Sequence, residues 1–455
     1  MSVRIGIDTG GTFTDVVAFD ETTGALHATK TPSVPADPSL AFADGLRLIL
    51  DQAGRDAVEV TTVSHGTTVA TNALLEDDTG GLGLLTTHGF RHVLEIARQS
   101  VPDGYGNSYF WVKPDRIVPL HLVREVPERL DAEGQVVREL DEDAVVEQVQ
   151  LLRDEGVHSI GVCLLHSYLN PAHEERVAEI IAEVYPEASV SISSQVLREY
   201  REYERSVTTL VDAFVKNKVV HYIDSIQAQL DQLRDGEPPA FYIMKSNGGV
   251  ISAGAVGTQP ITTVLSGPAA GALGAAELTG RAGFDQVLAL DGGGTSTDVT
   301  VVQGAVPALT TEGSVGRHPT KVPMIDIVTV GTGGGSIAWV SPEGGLKVGP
   351  RSAGADPGPL CYGKGGTEAT VTDAHLVLGR IPPGLIGGRV PLHVDAARAG
   401  IEELAGDLGL GTEECAAGVL EIAAWNQANA IRQVTVRRGL DVRDFALCGF
   451  GGSGP

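Results

Sequence analysis

The sequence predicts an α/β protein, and two observations carry this prediction. Apolar runs of strand length alternate along the chain with helical stretches, which is typical of α/β folds. A short Asp-x-Gly-Gly-Thr segment also occurs twice, each time between two apolar runs that read as strands. Because a chain of 455 residues is too long for one ordinary core, we expect at least two domains.

The elements before residue 186 follow from their local patterns. VRIGIDTGG followed by FTDVVAFD predicts a β-hairpin with a glycine turn. One amphipathic helix is expected to be capped near Asp37, and another, over DEDAVVEQVQLLRDEG, has acids in its first turn. A third helix is expected with Asn170 as N-cap and Pro171 at its first position. Three apolar runs predict further strands: VEVTTVSHG, LGLLTT and VHSIGVCLLH.

A domain boundary is expected near residues 186–194, so we divide the chain into a domain over 1–186 and a domain over 187–455. The second domain opens with a long helical stretch, REYERSVTTLVDAFVKNKVVHYIDSIQAQLDQL, and closes with another, EECAAGVLEIAAWNQANAIRQVTVRRGLD. Glycine-rich segments lie between them. The 58 glycines of the chain therefore predict many tight turns or close approaches of the backbone to a ligand.

Composition excludes several classes of function. The formal charge is −25, and a nucleic-acid or anionic-membrane surface needs a basic footprint instead. No apolar run has membrane-spanning length, and MSVRIGID leads straight into a strand without a secretory pattern. We therefore expect a cytoplasmic protein.

Cysteine and histidine spacing predicts no metal site of the zinc type. Cys163, Cys361, Cys415 and Cys448 lie far apart without a C-x-x-C pair, and no H-E-x-x-H occurs. Cys163 and Cys448 are expected as small core residues. Because no neighbour in the sequence would lower its pKa, Cys361 is expected to be a packed or loop thiol rather than a reactive one.

The repeated segment is the strongest functional signal. DTGGTFTD begins at Asp8 and DGGGTSTD begins at Asp291, and six of their eight positions are identical. Adjacent glycines let a backbone turn close on phosphate oxygens. A carboxylate next to phosphate is repelled unless a divalent cation lies between them, as Mg²⁺ usually does. Two such hairpins, one in each half of the chain, therefore predict a clamp on a triphosphate and its metal.

A third glycine segment, CGFGGSGP, follows an apolar run at the end of the chain. It fits a loop that wraps the adenosine end of a nucleotide. No G-x-x-x-x-G-K-[ST] is present, which excludes a P-loop, and VGTGGGS has the wrong glycine spacing for a dinucleotide fingerprint. Two phosphate hairpins and a late glycine loop resemble the actin, sugar-kinase and Hsp70 superfamily of ATPases. That resemblance implies duplicated ribonuclease H-like lobes, the last part being incomplete.

A more specific resemblance extends along the whole chain. The chain is similar to the hydantoinase A/oxoprolinase family, and the block PGPLCYG…TVTDA is not shared with kinases or chaperones. The segments that carry the resemblance are IGIDTGGTFTDVV, SHGTTVATNALLE, GFRHVLEIARQ, EYERSVTTLVDAFV, SNGGVIS, LSGPAAG, LDGGGTSTDV, GGGSIAWV, VGPRSAGADPGPLCYGKGGTEATVTDAHLVLGR and FGGSGP.

The family resemblance implies ATP-dependent chemistry on a carbonyl group, with Mg²⁺ or Mn²⁺ and a hydantoinase B-like partner in an oligomer. Hydantoin or 5-oxoproline rings are opened, or ketones are carboxylated in relatives. A lactam is a poor electrophile, and phosphorylation of its oxygen creates a leaving group. A subunit of a cyclic-amide hydrolase is the first hypothesis, and a subunit of an acetone-type ketone carboxylase is the second. A nucleotide-gated module of the actin or Hsp70 type is the third.

Residue roles follow from the motifs and the resemblance together. Asp8 and Asp291 are assigned to the metal. Asp15 and Asp298 are candidates for a catalytic base or an outer metal-site residue, or they cap the hairpin turns. His65 is a candidate acid/base, with the alternative that Thr67 or Thr68 near it simply caps a helix. Asp373 reads first as a helix N-cap and second as a site residue. The residues assigned to the nucleotide are Gly10, Gly11, Thr12, Thr14, Gly293, Gly294, Thr295, Gly449, Gly451 and Gly452.

The last glycine loop ends at Pro455, whereas members of the resembled family continue with a helix. We therefore expect a chain truncated within its adenosine loop, or one whose missing part a second polypeptide supplies. By itself such a chain is expected to bind ATP weakly and to turn over slowly or not at all.

Overall fold

The computed structural model describes residues 2–11, 13–34, 37–75, 80–98, 115–233, 237–315, 318–385, 388 and 390–454. These residues form two compact units. The first unit comprises Met1–Val60, Gly267–Leu309 and Ile325–Pro455, and the second comprises Thr61–Ser266 and Thr310–Met324.

We number the elements in chain order. The strands are β1 (Val3–Thr9), β2 (Phe13–Asp20), β3 (Leu26–Pro32), β4 (Val60–Thr67), β5 (Leu82–Thr87), β6 (Val123–Val126), β7 (Arg129–Leu130), β8 (Val136–Arg138), β9 (Ser159–Cys163), β10 (Ser189–Ile192), β11 (Ala240–Met244), β12 (Val250–Ser252), β13 (Gln286–Gly292), β14 (Thr297–Gln303), β15 (Val306–Pro307), β16 (Leu309–Thr310), β17 (Gly313–Val315), β18 (His318–Thr320), β19 (Met324–Ile325), β20 (Ile327–Val330), β21 (Ser336–Val340), β22 (Leu346–Ser352), β23 (Gly384–Leu385), β24 (Val390–Pro391) and β25 (Ala446–Phe450). The α-helices are α1 (Pro38–Ala53), α2 (Val69–Leu75), α3 (Val93–Ile96), α4 (Glu142–Asp154), α5 (Ala172–Val184), α6 (Ser193–Val196), α7 (Glu202–Asp231), α8 (Ser266–Arg281), α9 (Val371–Val377), α10 (Val394–Leu408) and α11 (Thr412–Val434).

The first unit contains two antiparallel hairpins, β1–β2 and β13–β14. β3 extends the first hairpin, and β20 and the parallel strand β25 flank the second. Residues of β1 and β2 alternate between buried and exposed, because only one face of these strands packs on the core. The β13–β14 hairpin is apolar on both faces. One face packs against Ala276 of α8 and the other against Ala430 and Val434 of α11.

The second unit is built on a parallel sheet with the order β10–β9–β5–β6. Every residue of β5 and β9 is buried, as expected for parallel strands that are covered on both faces. α7 packs against this sheet, and α4 packs against α5. In the same unit β11 pairs in parallel with β4 and antiparallel with β12.

The predicted α/β character is confirmed, and so are both glycine hairpins. The Asp37 side chain accepts a hydrogen bond from the Ser39 N–H and caps α1, as predicted. One helix start differs from prediction: α5 begins at Ala172, although the Asn170 side chain does accept a hydrogen bond from the Ala172 N–H. Among the residues that the structure describes, none of the helices combines the length and the apolarity that a bilayer span requires.

Candidate functional site

The two predicted hairpins have the same register, and both lie in the first unit. Asp8 is paired with Asp15 across β1 and β2, and Asp291 is paired with Asp298 across β13 and β14. Each turn is closed by a hydrogen bond of matching position, from the Gly10 N–H to the Phe13 carbonyl at 3.1 Å and from the Gly293 N–H to the Ser296 carbonyl at 2.9 Å. The sequence repeat is therefore also a structural repeat.

The carboxylates of the two hairpins act on each other electrostatically. Loss of hydration raises the pKa of Asp8 to about 6, and repulsion from Asp15 and then from Asp291 adds to that shift. Solvent still reaches Asp8 along β1, so water screens part of the repulsion. Burial and then repulsion from Asp15 raise the pKa of Asp291 as well. Asp291 thus raises the pKa of Asp8, and Asp15 raises the pKa of Asp291, although the members of each pair lie on different hairpins. The two turns therefore form one acidic site.

Asp298 has a different partner from its counterpart Asp15. Burial raises the pKa of Asp298 to about 6; a hydrogen bond from the Thr329 hydroxyl opposes the shift, and Asp291 adds to it. Asp15 instead forms an ion pair with Lys30, with Nζ and Oδ1 at 3.0 Å. The alternative prediction was that Asp15 and Asp298 cap the hairpin turns. Within the described residues, neither carboxylate accepts a hydrogen bond from a backbone N–H of its own turn.

Lys30 is a cation that sequence reasoning missed. It lies on β3 directly opposite Asp15 of β2, and its charge lowers the pKa values of Asp8 and Asp291. Its Nζ also lies 5.4 Å from the ring centroid of Phe13. The sequence could have predicted this pair. If the next segment is read as a third antiparallel strand joined to β2 by a short connection, the length of that connection sets the register and places Lys30 opposite Asp15.

Asp291 and Asp298 line a small recess together with Thr300 and Phe450, which has room for about one water molecule. Helix α8 approaches Asp291 closely because Gly271 has no side chain. A Cβ at Gly271 would lie 2.8 Å from Cε2 of Phe450 and 3.6 Å from Oδ2 of Asp291. The second hairpin is therefore covered at Asp291 by α8 and Phe450.

The glycine loop of the predicted adenosine segment packs directly on the second hairpin. β25 runs parallel to β13 and places Phe450 opposite Asp291. The next residue, Gly451, has φ of +88°, and a Cβ there would lie 2.2 Å from Oδ1 of Asp291. Only glycine fits that backbone without strain. The structure thus brings Gly449 and Gly451 to the hairpin, whereas Gly452 is exposed, and a Cβ added there would meet no atom within 4 Å.

Another glycine-rich segment, VGTGGGS, contacts the same hairpin, although the sequence analysis assigned it no role. This segment donates backbone hydrogen bonds to the turn of the second hairpin. The N–H groups of Gly334 and Gly335 donate to the carbonyls of Gly293 and Gly294 at 3.0 and 2.6 Å. The Thr297 hydroxyl donates to the Thr332 carbonyl at 2.5 Å. A run of three glycines was the only signal of this contact in the sequence.

The remaining phosphate candidates differ in exposure. Gly11, Gly294 and Thr295 lie at the turn tips and are exposed, as a backbone cradle requires. Thr14 is fully buried, and its hydroxyl is 3.0 Å from the Ser33 hydroxyl. Its hydroxyl is thus engaged inside the protein, and direct contact of Thr14 with phosphate stays a prediction. Thr12 lies outside the described residues.

His65 lies in the second unit, near the end of β4. Its side chain is buried, with Nε2 2.9 Å from the Tyr222 hydroxyl and the Phe241 ring centroid 6.3 Å from its own. The Thr67 hydroxyl accepts a hydrogen bond from the Val69 N–H at the start of α2, which fits the helix-cap alternative. The acid/base role of His65 stays a prediction.

The PGPLCYG…TVTDA block is held together by Asp373. Thr370 caps α9, and the buried Asp373 carboxylate accepts hydrogen bonds from the N–H groups of Leu360, Cys361 and Thr370 and from the Thr370 hydroxyl. The prediction that Asp373 is the N-cap is wrong: Thr370 is the N-cap, and Asp373 lies three residues later as its reciprocal partner in a capping box. Burial raises the pKa of the Cys361 thiol, and the Asp373 charge adds to that shift, so Cys361 is a packed thiol.

The site fits a hard divalent cation of the magnesium type. Its acidic groups offer only oxygen atoms, and their pKa values are raised first by burial and then by repulsion between the carboxylates. Within the described part of the chain no three His, Cys, Asp or Glu side chains are grouped as a preformed metal site. Mg²⁺ usually binds through one or two carboxylates, with water and substrate phosphates as its other ligands. Asp8 and Asp291 are the residues that would hold it.

Two family models match almost the whole chain. The model of the hydantoinase/oxoprolinase N-terminal region matches residues 4–185, and the hydantoinase/oxoprolinase model matches residues 205–455.

Similar curated proteins include a caprolactamase subunit, a carboxylase subunit and a 5-oxoprolinase. Caprolactamase subunit alpha of Pseudomonas jessenii is 37% identical, over 99% of this chain and 65% of its own length. Acetophenone carboxylase gamma subunit of Aromatoleum aromaticum is 40% identical, over 99% of this chain and 63% of its own. 5-oxoprolinase 1 of Arabidopsis thaliana is 33% identical, over 100% of this chain and 38% of its own. The chain therefore spans about two thirds of the bacterial relatives and about two fifths of the plant one.

Solved structures with the same fold include an acetone carboxylase and a caprolactamase. Nucleotide-free acetone carboxylase matches 99% of this chain and 65% of its own with a TM-score of 0.89 and 27% identity. ATP-dependent caprolactamase from Pseudomonas jessenii matches 99% of this chain and 65% of its own with a TM-score of 0.78 and 37% identity.

Proposed function

Because this chain belongs to the hydantoinase/oxoprolinase family, we propose that it is the nucleotide-binding part of an ATP-dependent cyclic-amide hydrolase. The observation that carries the proposal is the pair of hairpins in identical register, with Asp8 and Asp291 at equivalent positions of one acidic site. Similarity to caprolactamase and 5-oxoprolinase supports cyclic amides as the substrate class.

The proposed roles follow from the chemistry of each group. Exposed backbone N–H groups at the two turns bind phosphoryl oxygens. Asp8 and Asp291 hold Mg²⁺ or Mn²⁺, which when bound neutralises charge on the phosphates. Asp298, partly buried beside Asp291, is placed to hold or accept a proton near neutral pH. Asp15 keeps Lys30 at the site through their ion pair.

The proposed reaction activates the ring carbonyl. The amide oxygen attacks the γ-phosphorus and ADP departs, which leaves a phosphorylated imidate. Water then adds to the ring carbon, the C–N bond breaks and the nitrogen takes a proton. The resulting acyl phosphate is hydrolysed by a second water to the carboxylic acid and inorganic phosphate. Phosphorylation thus removes the amide resonance and makes the ring carbon electrophilic, and the phosphate departs when the acyl phosphate is hydrolysed.

A ketone carboxylase subunit is the second candidate, and similarity to acetophenone carboxylase and acetone carboxylase supports it. The same turns would phosphorylate a ketone enolate or bicarbonate. Because two of the similar proteins are named as subunits, caprolactamase subunit alpha and acetophenone carboxylase gamma subunit, we also propose a partner of the hydantoinase B type. The lobe architecture of actin, sugar kinases and Hsp70, and the division into 1–186 and 187–455, remain part of the proposal. Family-model bounds near 185 and 205 support that division.

Calorimetric titration with ATP and Mg²⁺ tests the nucleotide site. The unmodified chain is expected to bind, and Asp8→Asn and Asp291→Asn are each expected to weaken binding about tenfold or more. Asp407→Asn, on an exposed position of α10, is the matched control. Equal binding by all four proteins, or no binding by the unmodified chain, would contradict the proposal.

A coupled assay for ADP separates the two candidate reactions. With a hydantoinase B-like subunit present, 5-oxoproline, hydantoin and caprolactam are expected to stimulate ADP release. Acetone with bicarbonate is expected to leave it at the background rate. Stimulation by the ketone and not by any cyclic amide would favour the carboxylase.

A further inference from the structure

Each hairpin turn is backed by one serine hydroxyl at the equivalent position. Ser33 donates a hydrogen bond to the Gly10 carbonyl at 2.7 Å, and Ser453 donates one to the Gly293 carbonyl, also at 2.7 Å. Gly10 and Gly293 are the same position of the repeated motif. The serines themselves are unrelated in sequence, because Ser33 follows β3 and Ser453 follows β25.

The geometry of the peptide group gives these bonds a consequence. A trans peptide is planar, so its C=O and N–H point in opposite directions. The Gly10 carbonyl shares a peptide with the Gly11 N–H, and the Gly293 carbonyl shares one with the Gly294 N–H. A carbonyl tied inward therefore turns the N–H outward. Gly11 and Gly294 are both exposed, and within the described residues neither N–H donates to a protein acceptor.

The same bonds strengthen the outward donors. A carbonyl that accepts a hydrogen bond polarises its peptide, so the N–H of that peptide becomes a better donor. Ser33 uses its single proton on Gly10, so the 3.0 Å contact with Thr14 is a bond from Thr14 to Ser33. The buried Thr14 hydroxyl thus orients the Ser33 hydroxyl toward the Gly10 carbonyl.

Among the described residues, the second turn has more backbone contacts than the first. The Ser453 N–H donates to the Gly292 carbonyl at 2.7 Å, so Ser453 holds two successive peptides of the hairpin. The Gly335 N–H holds the next carbonyl, that of Gly294. All three carbonyls are directed inward, as expected for a backbone arrangement that presents N–H groups to an anion.

We propose that Ser33 and Ser453 are positioning residues that aim the N–H groups of Gly11 and Gly294 at phosphoryl oxygens of a nucleotide. This inference rests on the proposed nucleotide site and adds the elements that orient it. Because the hydroxyls act through a peptide, they affect the phosphate end of the ligand and leave the nucleoside end unchanged.

The test compares ATP with adenosine as ligands in calorimetric titrations of the 455-residue chain with Mg²⁺. Ser33→Ala is expected to weaken ATP binding about three- to tenfold, the usual effect of one hydrogen bond, and Ser453→Ala about threefold, because the Gly334 N–H still holds the Gly293 carbonyl. Adenosine binding is expected to change less than about twofold in both variants. Ser33→Thr keeps the hydroxyl and is expected to restore ATP affinity.

Ser341→Ala is the matched control, because Ser341 also bonds to backbone within a turn of the first unit, at Gly345. Thermal unfolding without nucleotide checks that each variant is folded. ATP affinity that is unchanged in Ser33→Ala and Ser453→Ala, or adenosine affinity that falls by the same factor as ATP affinity, overturns the inference. If the unmodified chain binds no ATP, the proposed function itself fails. That result differs from the two outcomes that overturn only the role of the serines.

Discussion

Asp291 and Asp298 lie directly opposite each other across β13 and β14. Like charges at such cross-strand positions destabilise a sheet. The same arrangement recurs at Asp8 and Asp15, so the unit carries two unfavourable pairs where neutral residues would be more stable. Such a cost is typical of a site in which a bound cation and ligand supply the missing charge. The following predictions test this interpretation and the contacts around it.

Asp298→Asn is expected to remove a pH-dependent loss of stability. The folded-state pKa of Asp298 is raised from 3.8 to about 6, so its stabilising contribution is complete below about pH 4 and is lost as pH rises through 6. The unmodified chain should therefore lose about 2 kcal/mol more than the variant between pH 4 and pH 7. Urea unfolding in EDTA measures this difference. Parallel stability curves for the two proteins would disprove it, and Asp407→Asn should follow the unmodified chain.

Gly451→Ala is expected to destabilise the second hairpin and the nucleotide site. Its φ of +88° and its approach to Asp291 exclude a side chain, so we expect a loss of about 1–3 kcal/mol. ATP affinity should fall with it, because Asp291 or the loop must move. Chemical denaturation and ATP titration provide the measurements. Gly452→Ala, one residue away in open space, should change the free energy of unfolding by less than about 0.5 kcal/mol; equal effects of the two substitutions would rule out the steric explanation.

Lys30→Met is expected to weaken binding of ATP with Mg²⁺ chiefly at low pH. Lys30 lowers the pKa values of Asp8 and Asp291, so without it these carboxyls stay protonated to higher pH. Affinity should fall about two- to fivefold at pH 6 and less at pH 8. Titrations across this pH range measure the change. Lys364→Met, on an exposed loop, is the control, and a loss that is independent of pH would contradict the electrostatic role.

Asp373→Asn is expected to destabilise the block around α9 without a direct effect on the nucleotide. The buried carboxylate accepts hydrogen bonds from Leu360, Cys361 and Thr370. An amide has one acceptor oxygen in place of two, so we expect a loss of about 2–4 kcal/mol. Urea unfolding measures it. The exposed Asp395→Asn should remain within about 0.5 kcal/mol of the unmodified chain, and a similarly small effect at Asp373 would refute the structural role.

Much of the local structure was predictable because it depends on residues close together in the chain. The repeat of Asp, Gly, Gly and Thr places Asp8 opposite Asp15 and Asp291 opposite Asp298, since a four-residue turn sets the register of a hairpin. Asp37 caps α1 for the same reason. The inward direction of Thr14 was also available from the alternation of β2, in which Asp15 faces outward.

By itself, then, the sequence determined that two acidic glycine turns exist and what chemistry they favour. Only the tertiary structure decided which peptides they present and what holds them. Ser453 contacts Gly293 across 160 positions of the chain, Gly335 meets Gly294, and Lys30 meets Asp15 one strand away. These contacts depend on how distant segments pack in three dimensions, and no periodicity of a single segment encodes a partner so far along the chain.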